Sequence, residues 1–241
     1  MYVKSAPFYD AIYDFKDYRD AVEQLHAVIQ TQAPQAATLL DVACGTGRHL
    51  EHFQEFYDVE GLDLSGQLLA TARERCPGVP FHEANMVDFT LPRRFDVVTC
   101  LFSAIAYVQT AENMRQSIAN MARHVEPGGL LMVEPWFEPD RYWTDTITAN
   151  HVERPDLKIC WMYTSKREDL IGVLDIHYLV GTPDLVEHFV EEHRVGLFTR
   201  EEHLSAMSDV GLDVEFDPKG PFNRGLYVGR APGRDQHDRQ P

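Results

Sequence analysis

Apolar positions along this chain follow two rhythms. Between residues 17 and 136, short apolar runs alternate with stretches in which apolar residues recur every three or four positions, and between 157 and 197 the repeat is closer to two. The first spacing stacks side chains on one face of a helix, and the second sends alternate side chains to opposite faces of a strand. Ala21, Val22, Leu25, Val28 and Ile29 predict a helix over 17–32, followed by a short buried strand at 39–42. A helix over 48–56 turns Leu50 and Phe53 inward. A second strand, 59–64, leads into a helix capped by Ser65 and running to Cys76. Residues 81–84 and 95–102 read as the third and fourth strands. Met114, Ile118, Met121 and Val125 mark an amphipathic helix that Glu126-Pro127-Gly128-Gly129 stops, and 130–134 is a fifth strand.

Strands alternating with helices predict βαβ units and a mostly parallel sheet. Beyond Pro139 three extended stretches, 157–164, 171–180 and 187–197, follow one another with no helix between them. They predict antiparallel strands in a small sheet laid over the core. Thr199-Arg200-Glu201-Glu202 has the form of a capping box, opening a helix to Val210 that Gly211 ends, with last strands at 212–216 and 226–228.

The chain's 241 residues suffice for one well-packed domain, and 44% apolar with 25% charged residues excludes disorder as the general state. A net charge of −16 with scattered basic residues excludes nucleic acid as a partner, because that affinity rests on clustered Lys and Arg. The opening MYVKSAPFYDAIYDF has neither the basic nor the apolar region of a secretion signal. Apolar runs stay well short of the roughly 20 residues that span a bilayer. Cys44, Cys76, Cys100 and Cys160 lack CxxC spacing, so no zinc site or disulfide framework is expected, and reduced thiols fit a cytoplasmic protein.

Strand 39–42 runs into Ala43-Cys44-Gly45-Thr46-Gly47 and then into a helical pattern. Such a turn offers free backbone N–H groups and a close backbone approach to a polar ligand at the carboxyl edge of a sheet. Asp41 closes the first strand, and Asp63 closes the second roughly twenty residues on, where an acidic side chain accepts from ribose hydroxyls. A nicotinamide dinucleotide and S-adenosylmethionine both fit that spacing. The nicotinamide fingerprint lacks its first glycine at Ala43, and His49-Leu50 leaves no third. Asp41 to Gly47 instead reads Asp-x-x-x-Gly-x-Gly, which favours the methyl donor.

"LDVACGTG", "GLDLS", "FDVVTCLFSAIAYV" and "EPGGLLMVEPW" together resemble a class I methyltransferase. "YDAIY", "KDY", "IHYLV", "LFTREE", "DVGLDVEF" and "GPFNRGLYVG" extend the resemblance over nearly the whole chain. The similarity is to the N,N-dimethyltransferases of TDP-linked amino sugars, of the desosamine and mycaminose type. That resemblance implies an α/β, Rossmann-like class I methyltransferase sheet with a small added antiparallel sheet over the active site. It implies one domain, 1–230, divided into an N-terminal lid (1–32), a core (33–136 and 199–230) and a substrate sheet (140–198). The polar tail, 231–241, is expected to be disordered.

The same resemblance implies S-adenosylmethionine as cofactor, a nucleotide-linked amino sugar as substrate, a homodimer, and neither membrane nor metal. Tyr9 and Tyr18 would close over the donor. Ala43, Gly45 and Gly47 would line its methionine part, Asp63 would take the ribose, and Asn85 and Met86 would flank the adenine, with Asp41, Leu64 and Leu101 also binding the donor. Asn85 stands where the family has Asp, and Asp63 where this branch has Glu. Ser103, Trp136, Phe137, Arg167 and Arg224 would face the acceptor, with Arg224 on the diphosphate through its planar fork. Trp136, Phe137, Tyr142, Trp143 and Tyr163 read either as a wall for a thymine ring or as core. Tyr107, Tyr2 and His177 are the candidates at the amine. His177 reads as a proton acceptor or a structural residue, and His49 and His52 as solvent-facing.

Methyl transfer to an amine is an in-line displacement that needs a neutral nitrogen and no metal. Holding nitrogen and methyl in line can supply about 7–11 kcal/mol of the barrier, so no indispensable base is expected, with Tyr107 and Tyr2 orienting the amine. A dianionic substrate sits awkwardly with a charge of −16, and Arg224, Arg167 and Lys166 would have to offset it locally. Three other readings are a methyltransferase for another small acceptor, a nicotinamide-dependent oxidoreductase without a Tyr-x-x-x-Lys pair, and a non-catalytic nucleotide-binding protein.

Overall fold

Two parallel neighbours flank the first strand of the chain. In the structure, a computed structural model describing residues 4–233, β1 (Thr38–Val42) lies between β2 (Asp58–Asp63) and β4 (Phe95–Cys100). β3 (Phe81–Glu83) extends the parallel set beyond β2, and β5 (Val125–Val133) extends it beyond β4. β11 (Leu226–Arg230) joins β5 antiparallel, and β10 (Asp213–Asp217) closes the edge, giving the order β10-β11-β5-β4-β1-β2-β3. Strands buried on both faces read as continuous apolar runs. Leu40, Val98 and Leu131 meet Met114, Ile118 and Met121 of α5 (Ala111–Arg123), while Leu39, Val97 and Leu130 meet Val22, Leu25 and Ile29 of α2 (Tyr18–Gln32).

A second sheet holds β6 (Ile147–Glu153), β7 (Lys158–Glu168), β8 (Ile171–Gly181) and β9 (Val186–Gly196), all antiparallel and in chain order. Three of these strands carry the expected alternation. β6 is mostly exposed and has little apolar patterning, so it leaves no signal in the sequence. The inner face, with Ile159, Trp161, Leu174, Ile176 and Tyr178, packs against Ala11 and Ile12 near the N-terminus. The protein is thus an α/β molecule whose Rossmann-like sheet carries a separate antiparallel layer.

α5 ends at Arg123, and Val125, expected on the helix, pairs with Phe95 as the first residue of β5. Glu126-Pro127-Gly128-Gly129 is an outward excursion within that strand, since the register passes from Phe95↔Val125 directly to Val97↔Leu130. Gly128 takes φ +83, and a Cβ on Gly129 would lie 2.5 Å from the Asp96 carbonyl oxygen. The helix expected over 48–56 contracts to α3 (Leu50–Phe53), because i→i+3 bonds such as His52 N–H to His49 O and Glu55 N–H to His52 O tighten both ends. α4 (Gly66–Arg75) starts at its Ser65 cap, and α6 (Arg200–Asp209) has both halves of its capping box in place. Ala231 and Pro232, assigned to the tail, continue the backbone pairing to Gly129 and Gly128, and residues 234–241 lie outside those described.

Candidate active site

The turn after β1 bends through three left-handed residues, Ala43 (φ 62), Gly45 (φ 57) and Gly47 (φ 75). A Cβ on Gly47 would stand 3.3 Å from that of Ala72 of α4, close enough that the neighbour would have to give, and its φ of +75 disfavours a side chain, whereas a Cβ on Gly45 would meet nothing within 4 Å. One glycine therefore serves packing and the other borders open space. Asp63, at the end of β2, accepts hydrogen bonds from Gly45 N–H (2.8 Å) and Ser65 N–H (2.8 Å), and burial raises its carboxyl above the usual range. α3 is a single turn, so no long helix's terminus stands here, and the amides of Cys44, Gly45 and Gly47, expected to be free for a ligand, bond instead to Leu62, Asp63 and Cys44.

A cavity of about 590 Å³ opens from this turn along the carboxyl ends of the strands to the inner face of the second sheet. Tyr9, Ala43, Gly45, Asp63, Leu64, Asn85, Met86 and Leu101 line one part, and Ser103, Tyr107, Trp136 and Arg224 another. A shallow basin of about 840 Å³ at the opposite edge, bordered by Arg93 and Arg123, opens at the amino ends of the strands, where α/β sheets do not build ligand sites.

Backbone strain marks the middle of the cavity. Phe102 (φ 53) and Ser103 (φ 61) are successive non-glycine residues in left-handed conformation, a geometry that costs on the order of 1–3 kcal/mol each. Phe102 N–H donates to Glu134 Oε2 (2.6 Å), and the Ser103 hydroxyl donates to the Pro135 carbonyl (2.6 Å), which holds them there. Arg224 donates to Ser103 Oγ (3.1 Å) and lies 4.6 Å from the Trp136 ring centroid. Glu134 is fully buried, which pushes its carboxyl up to about 7 despite the opposing pull of Arg224, the Phe102 amide and Lys16. Lys16 stands over the ring of Phe222 at 4.6 Å, and its ammonium is held below the ordinary value by burial and by Arg224. Lys16 thus places a second cation beside Arg224, a role the sequence reading missed.

Several expected residues stand elsewhere. Asp41 is 1% exposed beneath the turn, accepting from Thr99 Oγ1 (2.7 Å) rather than facing the cavity, and burial pushes its carboxyl up to about 7. Tyr18 packs edge-on to His49, and its hydroxyl finds no partner among the described residues. His49, expected in solvent, is buried, and desolvation lowers its ring to about 3. Phe137 backs the wall, edge-on to Trp136 and Trp143, and Tyr163 lines the cavity while Tyr142 and Trp143 pack together to one side. Arg167 donates to the Asp169 and Pro139 carbonyls at the exposed β7–β8 turn, and Lys166 pairs with Asp175, so neither reaches the site. His177 lies on the outer face of β8, stacked on His188, because the pleat gives its neighbours Ile176 and Tyr178 the cavity side. Tyr2 lies outside the described residues.

The histidine inside the cavity is His193 of β9, 2% exposed, whose Nδ1 lies 2.9 Å from the Tyr107 hydroxyl. Glu191, two residues earlier on the same face, brings Oε2 to 3.8 Å from His193 Nε2. Neither was singled out in the sequence, although an acid and a histidine spaced by two on a strand share a face.

A Rossmann-like sheet with an Asp-anchored glycine turn and an acid ending the next strand defines a class I methyltransferase. The family model described as "Methyltransferase domain" matches residues 39–129. A dTDP-3-amino-3,6-dideoxy-alpha-D-glucopyranose N,N-dimethyltransferase from Streptomyces fradiae is 41% identical over 93% of this chain and 89% of its own length. The crystal structure of Streptomyces venezuelae DesVI superposes with a TM-score of 0.90 at 37% identity, covering 96% of this chain and 99% of that one. That of S-adenosylmethionine-bound CalS10, an amino pentose methyltransferase of calicheamicin biosynthesis, gives 0.86 at 35% identity over 92% and 96%. The chain belongs to the family of dTDP-amino-sugar N,N-dimethyltransferases, and its methyl donor is S-adenosylmethionine.

Proposed function

We propose that the protein N,N-dimethylates the amino group of a dTDP-linked amino-deoxy sugar in antibiotic sugar biosynthesis. The observation that carries the reading is the continuity of one cavity from Asp63 and the glycine turn to the Arg224–Ser103–Trp136 cluster. The open space above Gly45 and the carboxylate of Asp63 fit the methionine and ribose ends of S-adenosylmethionine, and Leu64, Asn85, Met86 and Leu101 fit its adenosine. Bound there, the donor supplies an electrophilic methyl group. Tyr9 of α1 (Tyr9–Ile12) covers this end.

Arg224 and Lys16 offer cations to a diphosphate, with Trp136 as an apolar face beside them. Their placement answers the mismatch between a net charge of −16 and a dianionic substrate, since field at the site depends on local charge. Tyr107 orients the amine. Met162, His177 and Val190 stand side by side on the outer face of the second sheet, an exposed partly apolar surface that supports homodimer formation. Free Cys44, Cys76 and Cys100 in the interior support a cytoplasmic setting, and no helix among the described residues is long and apolar enough to cross a membrane.

The test is mass spectrometry after incubation with S-adenosylmethionine and a TDP-3-amino-3,6-dideoxyhexose. Successive gains of one and two methyl masses are expected. Donor binding with an unchanged sugar would refute the acceptor assignment and the roles of Tyr107 and Arg224 with it.

A further inference from the structure

We infer that Glu191 and His193 form a proton relay behind Tyr107, which drains the proton from the sugar ammonium before each methyl transfer. The inference rests on the amine-acceptor reading above and assigns the site a feature that reading did not require. The Tyr107 hydroxyl is 2.9 Å from His193 Nδ1, and His193 Nε2 is 3.8 Å from Glu191 Oε2. His193 and Glu191 are buried, 2% and 8% exposed, and Tyr107 and His193 both line the cavity. Glu191 is itself held by the Lys4 amide (2.6 Å), the Ser5 amide (3.1 Å) and the Ser5 hydroxyl. Burial alone would raise its carboxyl, but His193 and these N-terminal donors hold it well below the usual range, so it stays a carboxylate.

Charge and geometry set the direction of flow. In the relay Nδ1 takes the acceptor role toward Tyr107, with the ring proton on Nε2, the nitrogen that faces Glu191. The Tyr107 oxygen then keeps a lone pair for an N–H on its cavity side. As an ammonium proton passes to the Tyr107 oxygen, the hydroxyl's own proton passes to Nδ1. Tyr107 stays neutral, the amine gains its lone pair, and the positive charge moves onto His193 beside an anion. The nitrogen then forms its bond to the methyl carbon as the carbon–sulfur bond breaks, and His193 returns its proton to water between turnovers. A second methylation requires a second deprotonation, which gives a dimethyltransferase two uses for the relay. The other titratable groups packed around it are Tyr178 of β8 and Tyr9 and Tyr13 near the N-terminus, and burial opposes ionisation at Tyr178 and Tyr9. Lys4 contributes only its backbone amide to Glu191.

The test compares kcat of wild type, His193→Gln and Glu191→Gln from about pH 6 to 9.5, across the range in which such an amine loses its proton, near 8 for an α-amino group. Glutamine at 191 can still accept from Ser5 and Lys4, and donor binding by calorimetry confirms an intact fold. Both variants are expected to be roughly a hundredfold slow at the acid end and to converge on wild type at the alkaline end, where solvent has already removed the proton. A deficit equal at every pH in a variant that binds donor normally would overturn the relay while leaving the function standing. Absence of amine methylation by wild type would instead remove the function itself.

Discussion

Arg224 is fixed by two unlike contacts, a hydrogen bond to Ser103 and the face of Trp136, and Lys16, whose ammonium burial and Arg224 hold low, stands beside it. Hydrogen bonds to charged groups are worth about 1.5–3 kcal/mol, so Arg224→Ala is expected to raise KM for the sugar nucleotide roughly tenfold to a hundredfold. Calorimetry should find donor affinity unchanged, because the donor end is built from Asp63 and the turn. A matching loss of donor affinity would mean that Arg224 shapes the whole cavity. Asp63 was legible from spacing alone, and Arg224 and Ser103 from family resemblance. His193 was not, because β9 mixes polar and apolar residues on one face: Glu191 and His193 point in beside Phe189 and Val195, while Val190 points out, 46% exposed. Such a local conflict between polarity and burial is what a functional site produces, and it hides the site from a search for apolar alternation. The same one-residue pleat turned His177 outward, and register is fixed by pairing partners the sequence does not display.

Among the elements, α1 acts as a strap across the ligand turn. Asp10 accepts from Thr46 Oγ1 (2.7 Å) and pairs with Arg75 of α4, while Arg75 also donates to the Thr46 carbonyl (2.7 Å). Asp14, a little further on, pairs with Arg154 beyond β6 at 2.7 Å. Asp10→Ala is expected to speed donor release roughly tenfold, the equivalent of one charged hydrogen bond, as read by stopped-flow displacement. An unchanged release rate would show that the strap is ornamental to donor retention. Two helix starts were legible as caps, Ser65 and Thr199, each accepting from a backbone amide three residues on, as Asp17 and the unread Thr110 also do. Strand β6 and the excursion at residues 126–129 were not, since one lacks an apolar face and the other looks like a helix stop.

At the scale of the whole molecule, stability against pH follows from buried groups of opposite habit. Asp41 and Glu134, pushed up to about 7, keep protons in the folded state that the unfolded chain loses near 4, so their contribution to stability falls as pH rises from about 4 to 7. His49 and His203, lowered to about 3 and 4 by burial, stay neutral where the unfolded chain gains protons, so their contribution falls as pH drops below about 6.5. The two tendencies oppose each other between about pH 4 and 6.5. Relative to wild type, Asp41→Asn should therefore gain melting temperature as pH rises through that window, and His203→Gln as pH falls through it. Parallel profiles would show that these groups find water in the folded protein. The sheet order, with its antiparallel β11 inserted beside β5, was legible only through resemblance, because nothing local in Leu226–Arg230 states its partner. The N-terminal segment is anchored twice, through Asp10 at the glycine turn and through Ser5 at Glu191, behind the cavity-lining His193. One short segment is thus fastened both to the donor turn and to the carboxylate behind Tyr107 and His193, so the two ends of the site share a single anchor.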